Sequence, residues 1–467
     1  MKRRARNAWR TLVRVALVWM IGGAHLAFMP ARVHAALGYE QPNILVIVTD
    51  DQRLAGTMVA LPTVRRWFGD AGTTFSQAFD TTPLCCPSRA TLMSGQFPHN
   101  SGVIGNTHDG RTLWEQDSTI QRYLQDAGYR TGFVGKLFNF WPVEDDPSYF
   151  DRWAIFHPSN RTSGYDRATW NIQGTLRTID RYSTDFIAAQ GVRFIRDAEA
   201  HDDRPWYLEL STYAPHLRGI MEPQHANAPV GPFVPTPAMR ESDRSDKPPF
   251  VRREHVSRSK IEVLRAEQLR LLMSVDDLVE RIAHTLRSTD EARNTLAVFV
   301  SDNAFSWGEH GIRAKGYPYR AGVQVPLLVR WPDHVEEGAS DRRLVAMVDI
   351  APTILDAAGL PQDAEAPMDG RSLLDDSWSR RRVLMEYWHW RGSSAPPWAS
   401  LWGGDYQYTE YYDGHGEIVF REYYDLDADP WQLTNLLHDG RPGNDPDVTV
   451  LHDRLTEDRT CVGTACP

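Results

Sequence analysis

Residues 43–49 (NILVIVT) form an unbroken apolar, β-branched run that stops at two carboxylates, Asp50 and Asp51. Such a run has no polar face, so it predicts a strand buried on both sides, as in a parallel sheet. Residues 295–301 (TLAVFVS) repeat the pattern and stop at Asp302 and Asn303. Further strands are predicted at 206–211 (WYLELS) and 325–330 (VPLLVR), and helices at 119–127, 183–198 and 266–287. Strands alternating with helices imply an α/β domain, a large and mainly parallel sheet sandwiched by helices. Ligands of such sheets bind beyond the carboxyl ends of the strands. Here two strands far apart in sequence both end there in oxygen-bearing side chains.

The pattern changes twice along the chain. Residues 223–260 are rich in Pro, Arg, Ser and Asp and show no period, which predicts a long surface loop. Beyond Leu374 the chain turns to short aromatic runs, 406–412 and 417–424, separated by Gly-rich turns. These predict a smaller antiparallel sub-domain over 375–467, following a main domain over 37–374. Residues 1–36 read as a secretory signal: Lys2, Arg3, Arg4, Arg6 and Arg10 precede a short apolar stretch, and small residues follow at Ala35 and Ala36. No later stretch is apolar for long enough to cross a bilayer. The expected location is secreted or extracytoplasmic, without stable membrane insertion once the signal is removed.

Composition sharpens this picture in one respect. The net charge is −10, and removing residues 1–36 takes away seven basic side chains and no acidic one, leaving −17. The overall field therefore does not draw in nucleic acid or other polyanions. An anionic substrate needs a local cationic pocket. The 16 Trp and 17 Tyr fit a folded protein with aromatic-lined clefts.

The chain has four cysteines, Cys85, Cys86, Cys461 and Cys466. In an oxidising compartment the last two are expected to close a small disulfide loop. Adjacent Cys85 and Cys86 are poorly suited to bonding each other, because that strains the backbone. Their setting points elsewhere: Cys85-Cys86-Pro87-Ser88-Arg89 runs on into Ala90-Thr91-Leu92-Met93-Ser94-Gly95. This stretch resembles the signature of the sulfatase family, Cys-x-Pro-Ser-Arg followed by Ala/Ser-x-Leu-x-Thr/Ser-Gly. TDDQR at 49–53, SDNAFSWGEHG at 301–311, AKGYPYRAGVQVPLLVRWP around Lys315 and PTILDAAGL at 352–360 extend the resemblance over essentially the whole chain after the signal. PLCCPSR, LLMSVDDLVE, MDGRSLL and CVGTAC are most similar to the N-acetylglucosamine-6-sulfatase branch, which acts on sulfated glycosaminoglycans.

The resemblance implies an alkaline-phosphatase-like fold and hydrolysis of a sulfate ester on a sulfated sugar. It implies that Cys85 is oxidised to formylglycine by a formylglycine-generating enzyme, with Cys86 left as a buried thiol. A hydrated aldehyde carries two hydroxyls on one carbon: one attacks sulfur, and deprotonation of the other later expels sulfate. The resemblance also places a divalent cation on Asp50, Asp51, Asp302, Asn303 and the oxidised Cys85. An all-oxygen set of this kind favours Ca2+ over zinc, although each pair read singly is also an ordinary strand-ending turn. Arg89, Lys136, His216 and Lys315 match the family's basic residues around the nucleophile and sulfate. Phe138 departs from the pattern, since many sulfatases have histidine two positions after the lysine matched by Lys136. His310 is expected to be structural, and His99 is given no role. Two other readings stay open: a phosphonate monoester or phosphodiester hydrolase of the same superfamily, against which Asn303 counts, and an inactive carbohydrate-binding relative.

Overall fold

A computed structural model of the chain describes residues 41–467 apart from 108–109, 112, 114–116, 157–163, 202 and 389–392. The signal reading of residues 1–36 lies outside the described residues. From Pro42 to Pro467 the chain forms one compact unit.

Two sheets organise that unit. The larger contains β1 (Asn43–Thr49), β2 (Thr73–Phe79), β3 (Arg130–Lys136), β4 (Arg152–Phe156) and β5 (Thr169–Ile172). It continues with β6 (Thr175–Thr178), β7 (Trp206–Ser211), β8 (Thr295–Ser301), β9 (Leu327–Arg330) and β10 (Ala339–Ala346). Its order is β10-β2-β9-β8-β1-β7-β3-β4-β5-β6. The centre, β8-β1-β7-β3-β4, is parallel throughout. The smaller sheet is the antiparallel series β11 (Val383–Tyr387), β12 (Trp398–Trp402), β13 (Tyr406–Tyr412) and β14 (Ile418–Asp425). The principal helices are α1 (Cys85–Ser94), α2 (Ile120–Asp126), α3 (Ser183–Glu199), α4 (Arg258–Ser288) and α5 (Ile350–Ala357).

The apolar run of β1 is explained by what lies on either side of it. Leu45 and Ile47 enter a core built with Phe186 and Ile187 of α3 and Leu272 and Val275 of α4. Ile44, Val46 and Val48 enter a second core with Ala90 of α1, Leu124 of α2 and Ile354 of α5. Successive side chains of a strand point to opposite faces, so a strand covered on both faces has no polar position to spare. A third core, around Trp398, Leu401 and Tyr411, joins the smaller sheet to Phe79, Leu84 and Phe97 of the main body.

Three details differ from the sequence reading. β9 runs antiparallel to both β8 and β2, because only short helical turns separate it from β8 and no crossover helix carries the chain across a face. Helix α4 begins at Arg258, eight residues earlier than the apolar period suggested, because the Ser257 side chain accepts from the Lys260 amide and caps it. The segment before α4 is tied down. Arg244 donates to the carbonyls of Val251 and Glu254 at 3.0 and 2.9 Å, and the buried Lys247 ammonium donates to the Leu433 carbonyl at 2.8 Å. Among the described residues, no helix is long and apolar enough to cross a membrane.

Candidate active site

Four parallel strands deliver side chains to one place. β1 ends at Asp50 and Asp51, β8 at Asp302 and Asn303, β3 at Lys136, and the turn after β7 carries His216. Helix α1 starts at the same end, with Cys85 in its first turn. All ten of its residues are buried, and Asn106 Oδ1 accepts one of its free amides, that of Cys86, at 3.0 Å. The helix stops at Gly95, whose φ of 68° is left-handed; a Cβ there would also lie 2.9 Å from Met368. Arg89 follows Cys85 by four residues, so both project from one helix face.

The nine residues singled out from the sequence form one connected network. Cys85 Sγ lies 3.6 Å from Asp50 Oδ1 and 2.8 Å from Lys315 Nζ. Lys315 Nζ also donates to Asp51 Oδ1 at 2.5 Å, and Asn303 Nδ2 donates to the same oxygen at 2.6 Å. Lys136 pairs with Asp50. Arg89 Nε donates to Asp302 Oδ2 at 2.9 Å, and its Nη2 lies 3.5 Å from Asp50 Oδ2. His216 Nε2 is 3.7 Å from Asp51 Oδ2, and it is the one member that reaches the surface, with its side chain 25% exposed.

Opposite charges decide the protonation states in this buried cluster. Burial alone would raise Asp50 and Asp51, but Lys136 and His216 for the first, and Lys315 and His216 for the second, hold both below the ordinary carboxylate value. Burial would likewise lower Lys136 and Lys315, and their carboxylate partners more than offset it, so both stay ammonium ions. For the Cys85 thiol the compensation falls short: burial, with the Asp50 charge beside it, pushes it up to about 12 against the opposing pull of Lys136 and Lys315. Burial pulls His216 below its ordinary value, against the opposing pull of Asp51 and Asp50.

The donor set suits a hard cation. Ligand atoms of Asp50, Cys85 and Asp302 lie within 4.8 Å of one another, as do those of Asp50, Asp51 and His216. Asn303, whose Nδ2 donates to Asp51, has a buried Oδ1 with no hydrogen-bond partner among the described residues. An unpaired buried acceptor among carboxylates is costly unless a cation takes its lone pair. These residues fit a Ca2+-like ion with oxygen ligands.

Sequence reasoning overlooked the supports. Ser211 Oγ and the Lys136 carbonyl hold Arg89 Nη1 at 2.5 and 2.7 Å. Tyr213 stacks on His216 with ring centroids 4.7 Å apart, and Tyr165 donates to the His216 carbonyl at 2.5 Å. Asp80, which ends β2 as Asp50 ends β1, is fully buried and lies well above the usual carboxylate range because of that burial. Its only advance signal was the carboxylate itself, since Ser76 and Gln77 break the apolar period of β2. Phe138 is buried against the Gly110 backbone, where a Cβ would lie 2.5 Å from the ring. His310 is hydrogen-bonded to Glu241 at 2.8 Å and packed on Tyr319. His99 joins Glu386 at 2.6 Å to the Cys461 carbonyl at 3.0 Å. Cys461 and Cys466 form a disulfide, while Cys85 and Cys86 are free thiols, with the Asn139 amide donating to Cys86 Sγ at 3.2 Å.

A mainly parallel sheet between helices, with a four-stranded antiparallel sheet beside it and the site at the strand ends, is an alkaline-phosphatase-like architecture. Within that class the chain belongs to the sulfatase family, whose model matches residues 42–360, and it is a sulfuric ester hydrolase. A second model, N-sulphoglucosamine sulphohydrolase, C-terminal, matches residues 308–460. N-acetylglucosamine-6-sulfatase of Capra hircus is 30% identical over 492 residues, covering 92% of this chain and 86% of that protein. A solved protein in complex with its substrate D-glucosamine-2-N,6-O-disulfate superposes with TM-score 0.78 at 22% identity, over 90% of this chain and 97% of the other. Phosphonate monoester hydrolase of Agrobacterium radiobacter superposes with TM-score 0.62 at 22% identity, over 88% and 94%. The fold alone therefore does not separate sulfate from phosphonate chemistry.

Proposed function

We propose that this sulfatase removes sulfate from a glycosaminoglycan-type sugar, with N-acetylglucosamine 6-sulfate the leading substrate and formylglycine made from Cys85 as the nucleophile. The observation that carries the reading is the position of Cys85, in the first turn of a buried helix between Lys315 and Asp50. One hydroxyl of the hydrated aldehyde attacks sulfur, the S–O bond to the sugar breaks, and the alcohol leaves with a proton. Loss of a proton from the second hydroxyl then reforms the aldehyde C=O and expels sulfate, so no water has to attack sulfur.

Asp50, Asp51, Asp302 and Asn303, with the oxidised Cys85, would hold Ca2+, which supplies charge neutralisation at the sulfate and acidifies the attacking hydroxyl. Lys136 and Lys315, kept cationic by their carboxylates, bind sulfate oxygens. Arg89, fixed by Asp302, Ser211 and a backbone carbonyl, orients the nucleophile's helix. His216 and Lys315 both contact Asp51, and this pair supplies the proton to the leaving alcohol. With Phe138 where a second histidine stands in many relatives, His216 is the one imidazole in the acidic clusters around Cys85 among the described residues. The basic leader and the Cys461–Cys466 disulfide support an extracytoplasmic location.

The test is peptide mass spectrometry of the Cys85 segment, paired with sulfate release from N-acetylglucosamine 6-sulfate and a phosphonate monoester as control. Aldehyde at Cys85 with sulfate release is expected. An intact thiol in active enzyme, or turnover of the phosphonate alone, overturns the proposal.

A further inference from the structure

A second cationic site lies away from the catalytic network, in a cleft of about 690 Å³ between the main sheet and the smaller one. Its walls carry six arginines: Arg342 and Arg343 on edge strand β10, Arg380, Arg381 and Arg382 leading into β11, and Arg454 near the C-terminus. Three of these have structural work. Arg343 pairs with Asp341 at 2.7 Å, Arg380 with Asp349 at 2.6 Å and Arg382 with Asp458 at 2.6 Å. Arg342, Arg381 and Arg454 make no ion pair with any described residue, and the only acidic residue lining the cleft is Asp405.

Such a cluster runs against the character of the chain as a whole, whose net charge is −10. Arg342 and Arg381 are exposed and Arg454 is half-buried, so the three guanidiniums line one hollow with their charge open to an entering anion. Guanidinium is the side chain best shaped for a planar pair of oxyanion contacts, as on a sulfate or carboxylate group. Tyr406 adds an aromatic wall. Its ring packs so closely on the backbone that a Cβ at Gly403 would lie 2.0 Å from it.

We infer that this cleft is an exosite that holds a remote stretch of an anionic, sulfated polysaccharide while one residue of the same chain is processed at Cys85. The inference rests on the proposed carbohydrate sulfate substrate. Geometry sets its length requirement. β10 lies four strands from β1 in the sheet order, a lateral offset of about 19 Å at ~4.8 Å per strand. A monosaccharide sulfate is too short to span that offset, so only a polymer could occupy both places at once. A sulfated chain is favoured over nucleic acid because the catalytic site of the same molecule already selects sulfated groups.

The test uses the full-length protein and the triple variant R342A/R381A/R454A, which leaves the catalytic network and the three structural ion pairs intact. Heparin is the binding probe, and activity is compared on a sulfated polymer and on N-acetylglucosamine 6-sulfate. The expected result is retention on heparin weakened on the order of 10-fold to 100-fold, a KM raised for the polymer, and unchanged turnover of the monosaccharide. The corresponding triple lysine variant, which keeps the charge, should recover much of the retention. Unchanged retention and polymer KM, or an equal loss on both substrates, overturns the exosite. Competition by duplex DNA as effective as heparin assigns a general polyanion cleft and overturns the polysaccharide. If the unaltered enzyme releases sulfate from neither substrate, the functional reading fails, and heparin retention still judges the cleft separately.

Discussion

Glu209 sits inside β7, two residues before the serine that holds Arg89, and its carboxyl is 1% exposed. Tyr207 donates to it at 2.9 Å, and among the described residues no cation forms a salt bridge with it. Burial raises it from the ordinary 4.5 to about 7, against the weaker pulls of Tyr207 and Arg89. The folded state therefore keeps the proton to higher pH than the unfolded chain does. Below about 4.5 both states are protonated and folding carries no penalty from this group. Between 4.5 and about 7 the unfolded chain ionises first, and stability falls as pH rises. Above 7 the full cost is present, about 3 kcal/mol at ~1.4 kcal/mol per pH unit. Glu209→Gln keeps an acceptor for Tyr207 and cannot ionise. Denaturant unfolding of the two proteins, in one buffer series at constant metal concentration, isolates the effect, because every other titrating group cancels. The variant should gain on the order of 3 kcal/mol relative to the parent between pH 4.5 and pH 8, whatever constant offset separates them. A difference that is flat with pH, or that shrinks as pH rises, would refute the claim that Glu209 is neutral in the folded protein.

Other perturbations test the remaining parts of the structure. Arg89→Ala strands the buried Asp302 carboxylate, while Asp50 keeps Lys136, and should cost about 3–5 kcal/mol by denaturant unfolding as well as abolishing sulfate release. Chelation should lower the thermal midpoint and Ca2+ should restore it, a recovery that Asn303→Ala blunts because its Oδ1 has no protein partner. Replacing Cys461 with Ser opens a disulfide spanning five positions and should cost roughly 2 kcal/mol, with turnover per folded molecule unchanged. Protein produced in a host without a formylglycine-generating enzyme should show native circular dichroism and no sulfate release.

Much of the centre of the fold was legible because its strands are buried on both faces. The interiors of such runs, 44–48 and 296–300, carry no polar position, and each run stops at the residues that later meet. The motif from Cys85 to Gly95 was equally legible, since Cys-x-Pro-Ser-Arg states both the nucleophile's position and the arginine one turn beyond it. The margins were not. Edge strand β10 (ASDRRLVA) has three charged residues and a bulge between Asp341 and Leu344. A strand paired on one side only can spend positions on charge, so it does not announce itself by hydrophobicity. β2 is paired on both sides but only partly buried along its length, and Ser76 and Gln77 hid it, and Asp80 with it.

The sequence by itself determined the chemical inventory: which carboxylates end strands, which cysteine precedes a proline and an arginine on one helix, and that the chain as a whole is acidic. These are local properties, carried by neighbours within a turn or a strand. Only the tertiary structure decided that Lys315, 230 positions from Cys85, lies against its sulfur, and that Arg342, Arg381 and Arg454 share one cleft. Each of those meetings is set by the order of strands in a sheet and by the packing of one sheet against another. No local pattern encodes that order, because it follows from which apolar faces can be buried together across the whole chain.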